Sequence, residues 1–352
     1  MISQPSITEL APQGCSYNPD KPNILFFPMT PVQNPRYSSA VIVNPTYIHV
    51  PPGCNVTAAG VELPVDWVRF THPEGAVYFV NTTLHIVTDV QMQDAAVQAH
   101  MLEVIDQFQG WLTGLKISLP VYHEVYLLPD GIGSDKCKYY FVDHGARAQF
   151  WVESVESCGL GLPPAVSLEH LRCVFHEYYW THMEFFPHQV VPVELRLDLL
   201  GVLRHARGDQ MTSDYSTFPF DAEQCAKFIN LLDISPAASE NSYLTCVIGR
   251  IWALTFRHRF DHFYGQSCAR LGRDQKRLEQ SPEHRTCVMK AASWVLFNFP
   301  LVLKAEFDTL PTDNLLYVIH WRKFISSLRA QWQDSLKISI GLLMLVSDGL
   351  LC

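Results

Sequence analysis

Aromatic and β-branched residues crowd two short stretches of this chain, Val77-Tyr78-Phe79-Val80-Asn81 and Tyr139-Tyr140-Phe141-Val142-Asp143-His144. Each is followed by a second short piece, Thr88-Asp89 in one case and Phe150-Trp151 in the other. Successive side chains of a strand point to opposite faces, so both stretches predict strands with two distinct sides. Together they predict one short β-meander written twice, over residues 61–92 and again over 123–156. Between them the apolar spacing changes to steps of three and four at Val97, Met101, Val104, Phe108 and Trp111. With Asp94 as its cap, that spacing predicts an amphipathic connecting helix within 93–122, ended by Gly114 and Pro120.

From 157 to 337 the pattern is helical. Ser167 caps a run carrying Leu168, Leu171, Val174, Phe175 and Tyr178. Pro192 opens a second helix, for which Arg204-His205-Ala206-Arg207-Gly208 reads as the end. Asp221 and Gln224 form a capping box before Cys225 and Phe228. Further helices are predicted over about 242–264, 283–297 and 313–332. The fold class expected is α+β, with N-terminal three-stranded meanders followed by a mainly α-helical domain.

Residues 1–60 differ in kind. They hold ten of the 23 prolines, which removes backbone donors and biases the residues before them to extended geometry. A loosely ordered proline-rich arm is the expectation. At the other end, 338–352 forms an apolar tail directly after Lys337. Fifteen residues of helix reach only about 22 Å, short of a roughly 30 Å hydrocarbon core, so a final helix docked on the helical domain is expected and membrane association through the tail is the alternative.

Composition narrows the partners. A net charge of −9 offers no electrostatic footprint for a phosphate backbone, which argues against nucleic acid. The ten cysteines are scattered without a C-x-x-C pair and read as reduced thiols. With no basic residue before Lys21 and no early apolar run of signal length, a cytoplasmic location is expected.

The first meander, opening with Leu63-Pro64-Val65-Asp66-Trp67, resembles a WW domain. Leu63, Pro64, Trp67, Gly75, Phe79 and Asn81 stand where that family has its structural side, while Met92 replaces the closing proline. On the ligand side Tyr78 matches, but Asp89 occupies the place of the second tryptophan. The second meander is the converse. Tyr140, Val142, His144, Gln149 and Trp151 share one face and match the family's aromatic groove, but the structural tryptophan is missing and Ser154 replaces the closing proline. The resemblance implies recognition of a proline-containing segment, in cis or in trans, with the chain's own N-terminal arm as one candidate. It implies neither a catalytic residue nor a cofactor. The order of arm, meanders, helical body and apolar end also resembles a group of uncharacterised WW-domain proteins of mushroom-forming fungi, some of which end in hydrophobic segments.

Two histidine groups raise an enzyme alternative. His176, His182 and His188 surround an aromatic cluster at spacings that do not share a helix face, and they read as core or surface histidines. His258 and His262, four apart, place two imidazoles on one side of a helix near Asp261. They continue an apolar stripe through Leu244, Ile248 and Ile251, so no metal is assigned and a metal-dependent enzyme stays the minor reading. A helical structural scaffold with degenerate WW-like strands is the other alternative.

Overall fold

The computed structural model describes residues 23–37, 44–47, 49–50, 52, 62–233, 241–278, 299–308, 310–313 and 315–349. The chain is α+β and divides into two compact units, residues 1–192 with 236–257 and residues 193–235 with 258–352.

The first unit is built on a seven-stranded sheet. Its strands are β1 (Leu25–Pro28), β2 (Trp67–Thr71), β3 (Val77–Asn81), β4 (Ile86–Thr88), β5 (His123–Pro129), β6 (Lys136–Asp143) and β7 (Ala148–Phe150). Spatially the order is β1-β6-β5-β4-β3-β2, with β7 continuing the edge of β6 that β1 begins. Both meanders are antiparallel, but they are not separate units as the sequence suggests. They are halves of one sheet, joined where β4 pairs in parallel with β5 through Ile86↔Val125 and Val87↔Tyr126. A parallel pair needs a crossover, and helix α1 (Ala95–Leu115) supplies it. The Asp94 carboxylate caps that helix by accepting from the amides of Ala96 and Val97 at 2.8 and 3.1 Å.

Strand alternation sends one set of residues toward α1. Trp67, Phe79, Val125, Tyr139 and Phe141 pack there with Met101, Val104 and Phe108 in a single apolar core, and Leu63 borders it. Met92 is fully buried in the same core, so a thioether fills the place of the closing proline. Pro64 ends the entry to β2, its carbonyl accepting from the Trp67 amide, and Gly75, at φ 96°, makes the β2–β3 turn.

Several expectations need correction. The arm is not loose throughout: β1 pairs with Lys136–Tyr139 of β6, and two 3-10 turns, Pro31–Gln33 and Pro35–Tyr37, follow it. Proline costs an edge strand little, because one side of it has no ladder to serve. The helical domain does not begin at 157 either, since α2 (Leu168–Phe185) and most of α5 (Ser242–Asp261) belong with the sheet. Gly249 of α5 lies against the backbone of α2 at Trp180 and Glu184, an approach that a Cβ would block.

The second unit holds α3 (Val193–Thr212), α4 (Ala222–Leu232), the last turn of α5, α6 (Phe299–Asp308), a hairpin of β8 (Pro311–Thr312) and β9 (Leu315–Leu316), and α7 (Val318–Gly349). Asp221 and Gln224 form the expected capping box on α4. Gly208 does not end α3: the helix, on which Leu199, Leu200, Leu203 and Ala206 are buried, packs on α4 and runs on to Thr212. The helix expected from 313 begins instead at Val318, because Asp313 lies in the hairpin turn at φ 52°. The helix expected over 283–297 lies outside the described residues. The tail up to Gly349 is the continuation of α7, and Ile338, Ile340 and Leu343 on it are exposed rather than docked. Among the described residues no helix is long and apolar enough to cross a membrane.

Candidate functional site

The opposite face of the sheet carries polar groups in the middle of a hydrophobic layer. Register fixes this: Glu124 lies opposite Val142 and Tyr126 opposite Tyr140, so Glu124, Tyr126, Tyr140 and Val142 share the side that turns away from α1. Helix α2, capped by the Ser167 hydroxyl on the His170 amide, lies over it with His182, Tyr179 and Phe175.

The residues expected to form an aromatic groove are therefore covered. Tyr140 and Val142 are 0 % exposed, Tyr78 1 % and Gln149 2 %, while His144 and Trp151 are half-buried. Helix α2 roofs over the aromatic groove that the resemblance implies. Tyr140 hydrogen-bonds His182 Nδ1 at 3.1 Å, His144 Nδ1 lies 3.3 Å from the Tyr179 hydroxyl, and the Trp151 ring meets Phe175 edge-on at 5.8 Å. Tyr78 packs against Phe70, Phe186 and His188.

What fills the space over β6 and β7 is the N-terminal segment. The Met29 carbonyl accepts from Trp151 Nε1 at 2.9 Å and from Gln149 Nε2 at 3.0 Å, while the Met29 amide donates to the Tyr139 carbonyl. Five residues on, Asn34 Nδ2 donates to Asp89 Oδ2 at 3.1 Å and to the Tyr126 hydroxyl at 2.9 Å, and that hydroxyl donates to Asp89 Oδ1 at 2.8 Å. Asp89 and Trp151 stand at the same distance in sequence after Tyr78 and Tyr140. The two equivalent positions of the two meanders thus hold two points of one segment, Pro28-Met29-Thr30-Pro31-Val32-Gln33-Asn34.

At the other end of the face Glu124 is the hub of a second network. Its Oε2 lies 3.1 Å from His182 Nε2 and 3.4 Å from His144 Nε2, and its Oε1 lies 2.8 Å from His188 Nε2 and accepts from the Gln189 side-chain amide. His182 and His188 place Nε2–H toward the carboxylate, so His182 Nδ1 accepts from the Tyr140 hydroxyl, while His144 Nδ1 is hydrogen-bonded with the hydroxyl of Tyr179. Burial works against the Glu124 charge, but the His188 charge and the hydrogen bonds from His144, His182 and His188 outweigh it and hold the carboxyl well below its usual range. Burial pushes the His182 imidazole down and the Tyr126 and Tyr140 phenols well up. The arrangement keeps one anion in the interior and fixes α2 and the segment after it to the sheet.

Glu124 carries no expectation from the sequence, and His182 and His188 read there as core or surface residues with nothing joining them to it. The available signal was the period-two pairing of Glu124 with Tyr126 in a strand otherwise apolar. The His258–His262 pair lies in the second unit. Its rings are 4.1 Å apart, His258 Nε2 meets the Thr217 carbonyl at 3.1 Å, and His262 Nε2 meets the Tyr317 hydroxyl at 3.0 Å. Burial first, then the neighbouring His262, push His258 down to about 3; burial also pushes His262 down to about 4. Among the described residues no three His, Cys, Asp or Glu side chains are grouped to hold a metal ion.

The class defined by these features is an α+β protein with a duplicated meander and a buried carboxylate–histidine hub. Comparison with protein-family models, with curated proteins and with solved structures finds no match.

Proposed function

We propose that this chain is a non-enzymatic interaction protein whose paired WW-like meanders recognise proline-containing segments, with its own residues 23–37 seated there in cis. The observation that carries the reading is the hold on the Met29 carbonyl by Gln149 and Trp151, two of the residues that the resemblance marks as ligand-binding, between Pro28 and Pro31. Asp89, at the position equivalent to Trp151, holds Asn34 and supports the same reading from the first meander.

Hydrogen exchange on the full chain with excess synthetic peptide of residues 23–37 tests it. A peptide that replaces the tethered segment lowers protection at the Leu25 and Met29 amides while β6 keeps its own. Trp151→Phe, which removes the N–H donor to the Met29 carbonyl, lowers protection at the same two amides before any peptide is added. The burial of Tyr78 and Tyr140 favours a second reading, in which the meanders serve the fold alone. Protection that no peptide concentration changes, in either protein, selects that second reading.

A further inference from the structure

Around Phe185 and Phe186 the acidic side chains have their partners. Asp89 has Tyr126 and Asn34, and Glu124 has three imidazoles and an amide. Glu74 accepts from the Tyr37 hydroxyl at 2.6 Å and from Arg250 Nη2 at 2.8 Å, and Glu184 accepts from Arg250 Nε at 2.7 Å. Among the described residues Arg36 is the cation left over there. Its guanidinium carbon lies 5.1 Å from the centroid of each phenylalanine ring, and both Nη1 and Nη2 are shut off from water with no hydrogen-bond acceptor among the described residues.

Aromatic faces attract a guanidinium but do not replace the acceptors that its N–H groups lose with water. Two vacant terminal nitrogens form the fork that a carboxylate meets with two parallel bonds. The Arg36 charge opposes the upward push of burial on the Tyr78, Tyr126 and Tyr140 phenols, which puts those rings within its field. Nδ1 of His188, whose ring packs on Tyr78, is a second buried nitrogen there without a partner among the described residues.

We propose that Arg36 anchors a binding site for a small monoanionic carboxylate, which takes Nη1 and Nη2 as a fork between the rings of Phe185 and Phe186. The flanking rings suit a ligand with a short apolar body. A single charge fits better than two, because the anions Asp89 and Glu124 act on the same tyrosines as Arg36 does. Arg36 sits in the turn Pro35–Tyr37, where Tyr37 is 64 % exposed, so the fork lies one residue from the surface.

Thermal unfolding of the full chain in potassium acetate against potassium chloride at equal ionic strength tests the site, with potassium phosphate as a third arm. The expected result is a Tm that rises with acetate and saturates, as mass action requires of a ligand held by the folded state. Arg36→Gln removes that response, and Arg36→Lys, which keeps the charge and loses the fork, weakens it at least several-fold. A purely structural Arg36 lowers Tm in both variants but leaves the acetate dependence as it is in the unaltered chain, and that outcome overturns the proposal. So does the absence of any acetate response in the unaltered chain, or a response to phosphate that exceeds it. Should Arg36→Gln not fold, an undiminished acetate response in Arg36→Lys is decisive against the fork.

Discussion

Asn81 and Asp143 do the same work at the same place in the two meanders. Asn81 Oδ1 accepts from the amides of Thr83 and Leu84 at 3.1 and 2.8 Å, and Asp143 Oδ1 from those of Gly145 and Ala146 at 2.8 and 3.0 Å. Four residues after each, His85 at φ 53° and Arg147 at φ 55° take the left-handed conformation that returns the chain to its next strand. The repeat seen in the residues is thus a repeat of turn geometry.

This equivalence predicts equal consequences. Asn81→Ala and Asp143→Ala should each destabilise the fold by about 1 kcal/mol, the usual effect of losing a side chain that satisfies local amides. His85→Gly and Arg147→Gly should cost far less than glycine normally does, because both relieve a strained φ. Urea denaturation midpoints of the four variants check both statements.

The Glu124 hub predicts a larger effect from a smaller change. Glu124→Gln keeps the shape but removes the charge that three imidazoles and the Gln189 amide face. A loss of about 3 kcal/mol is expected, in the range for breaking one partner out of a buried ionic cluster. Chemical denaturation near neutral pH measures it, and a loss under about 1 kcal/mol would mean the hub is dispensable.

Gly249 predicts a steric cost. A Cβ there would lie 2.8 Å from the Glu184 amide nitrogen and 2.9 Å from the Trp180 carbonyl oxygen, both backbone atoms that yield only if a helix moves. Although alanine favours helix by up to about 1 kcal/mol, Gly249→Ala should destabilise by about 1–3 kcal/mol. A thermal midpoint equal to or above that of the unaltered chain would contradict the close approach of α5 to α2.

Acid should weaken the protein well above the carboxylate range. His182, His258 and His262 are held below the ordinary imidazole value by burial, so the unfolded chain takes up protons that the folded chain refuses. Stability is full above about pH 6.5 and falls as pH drops toward about 4 for His262 and about 3 for His258. Glu124, depressed, adds loss of the same sign at lower pH. His258→Asn should make the fall in unfolding free energy shallower by about 1.4 kcal/mol per pH unit between pH 6 and 4.

Local signals in the sequence were legible where a single element decides them. The caps at Asp94, Ser167 and Asp221 stand where side-chain oxygens precede apolar periodicity, and β5 begins at His123. Proline density suggested a loose arm because it counts lost donors, whereas β1 needs only one hydrogen-bonded side and finds it on β6. The Glu124 hub was illegible for another reason. Its members come from β5, from the turn after β6, from α2 and from the segment after α2, and no spacing rule connects residues 124, 144, 182 and 188. The cover over Tyr140 was likewise a matter of which helix returns to which face, which periodicity along one strand does not encode.

The seam between the meanders consists of two paired positions, Ile86↔Val125 and Val87↔Tyr126, whereas β5 and β6 share seven. Mechanical load or partial unfolding should part the sheet along that line first, into a flap of β2–β4 and a flap of β1 with β5–β7 that α1 keeps tied together. The first flap would carry Asp89 away with it, while Trp151 stayed with the second, so a cracked sheet would loosen its grip on the N-terminal segment at one end before the other.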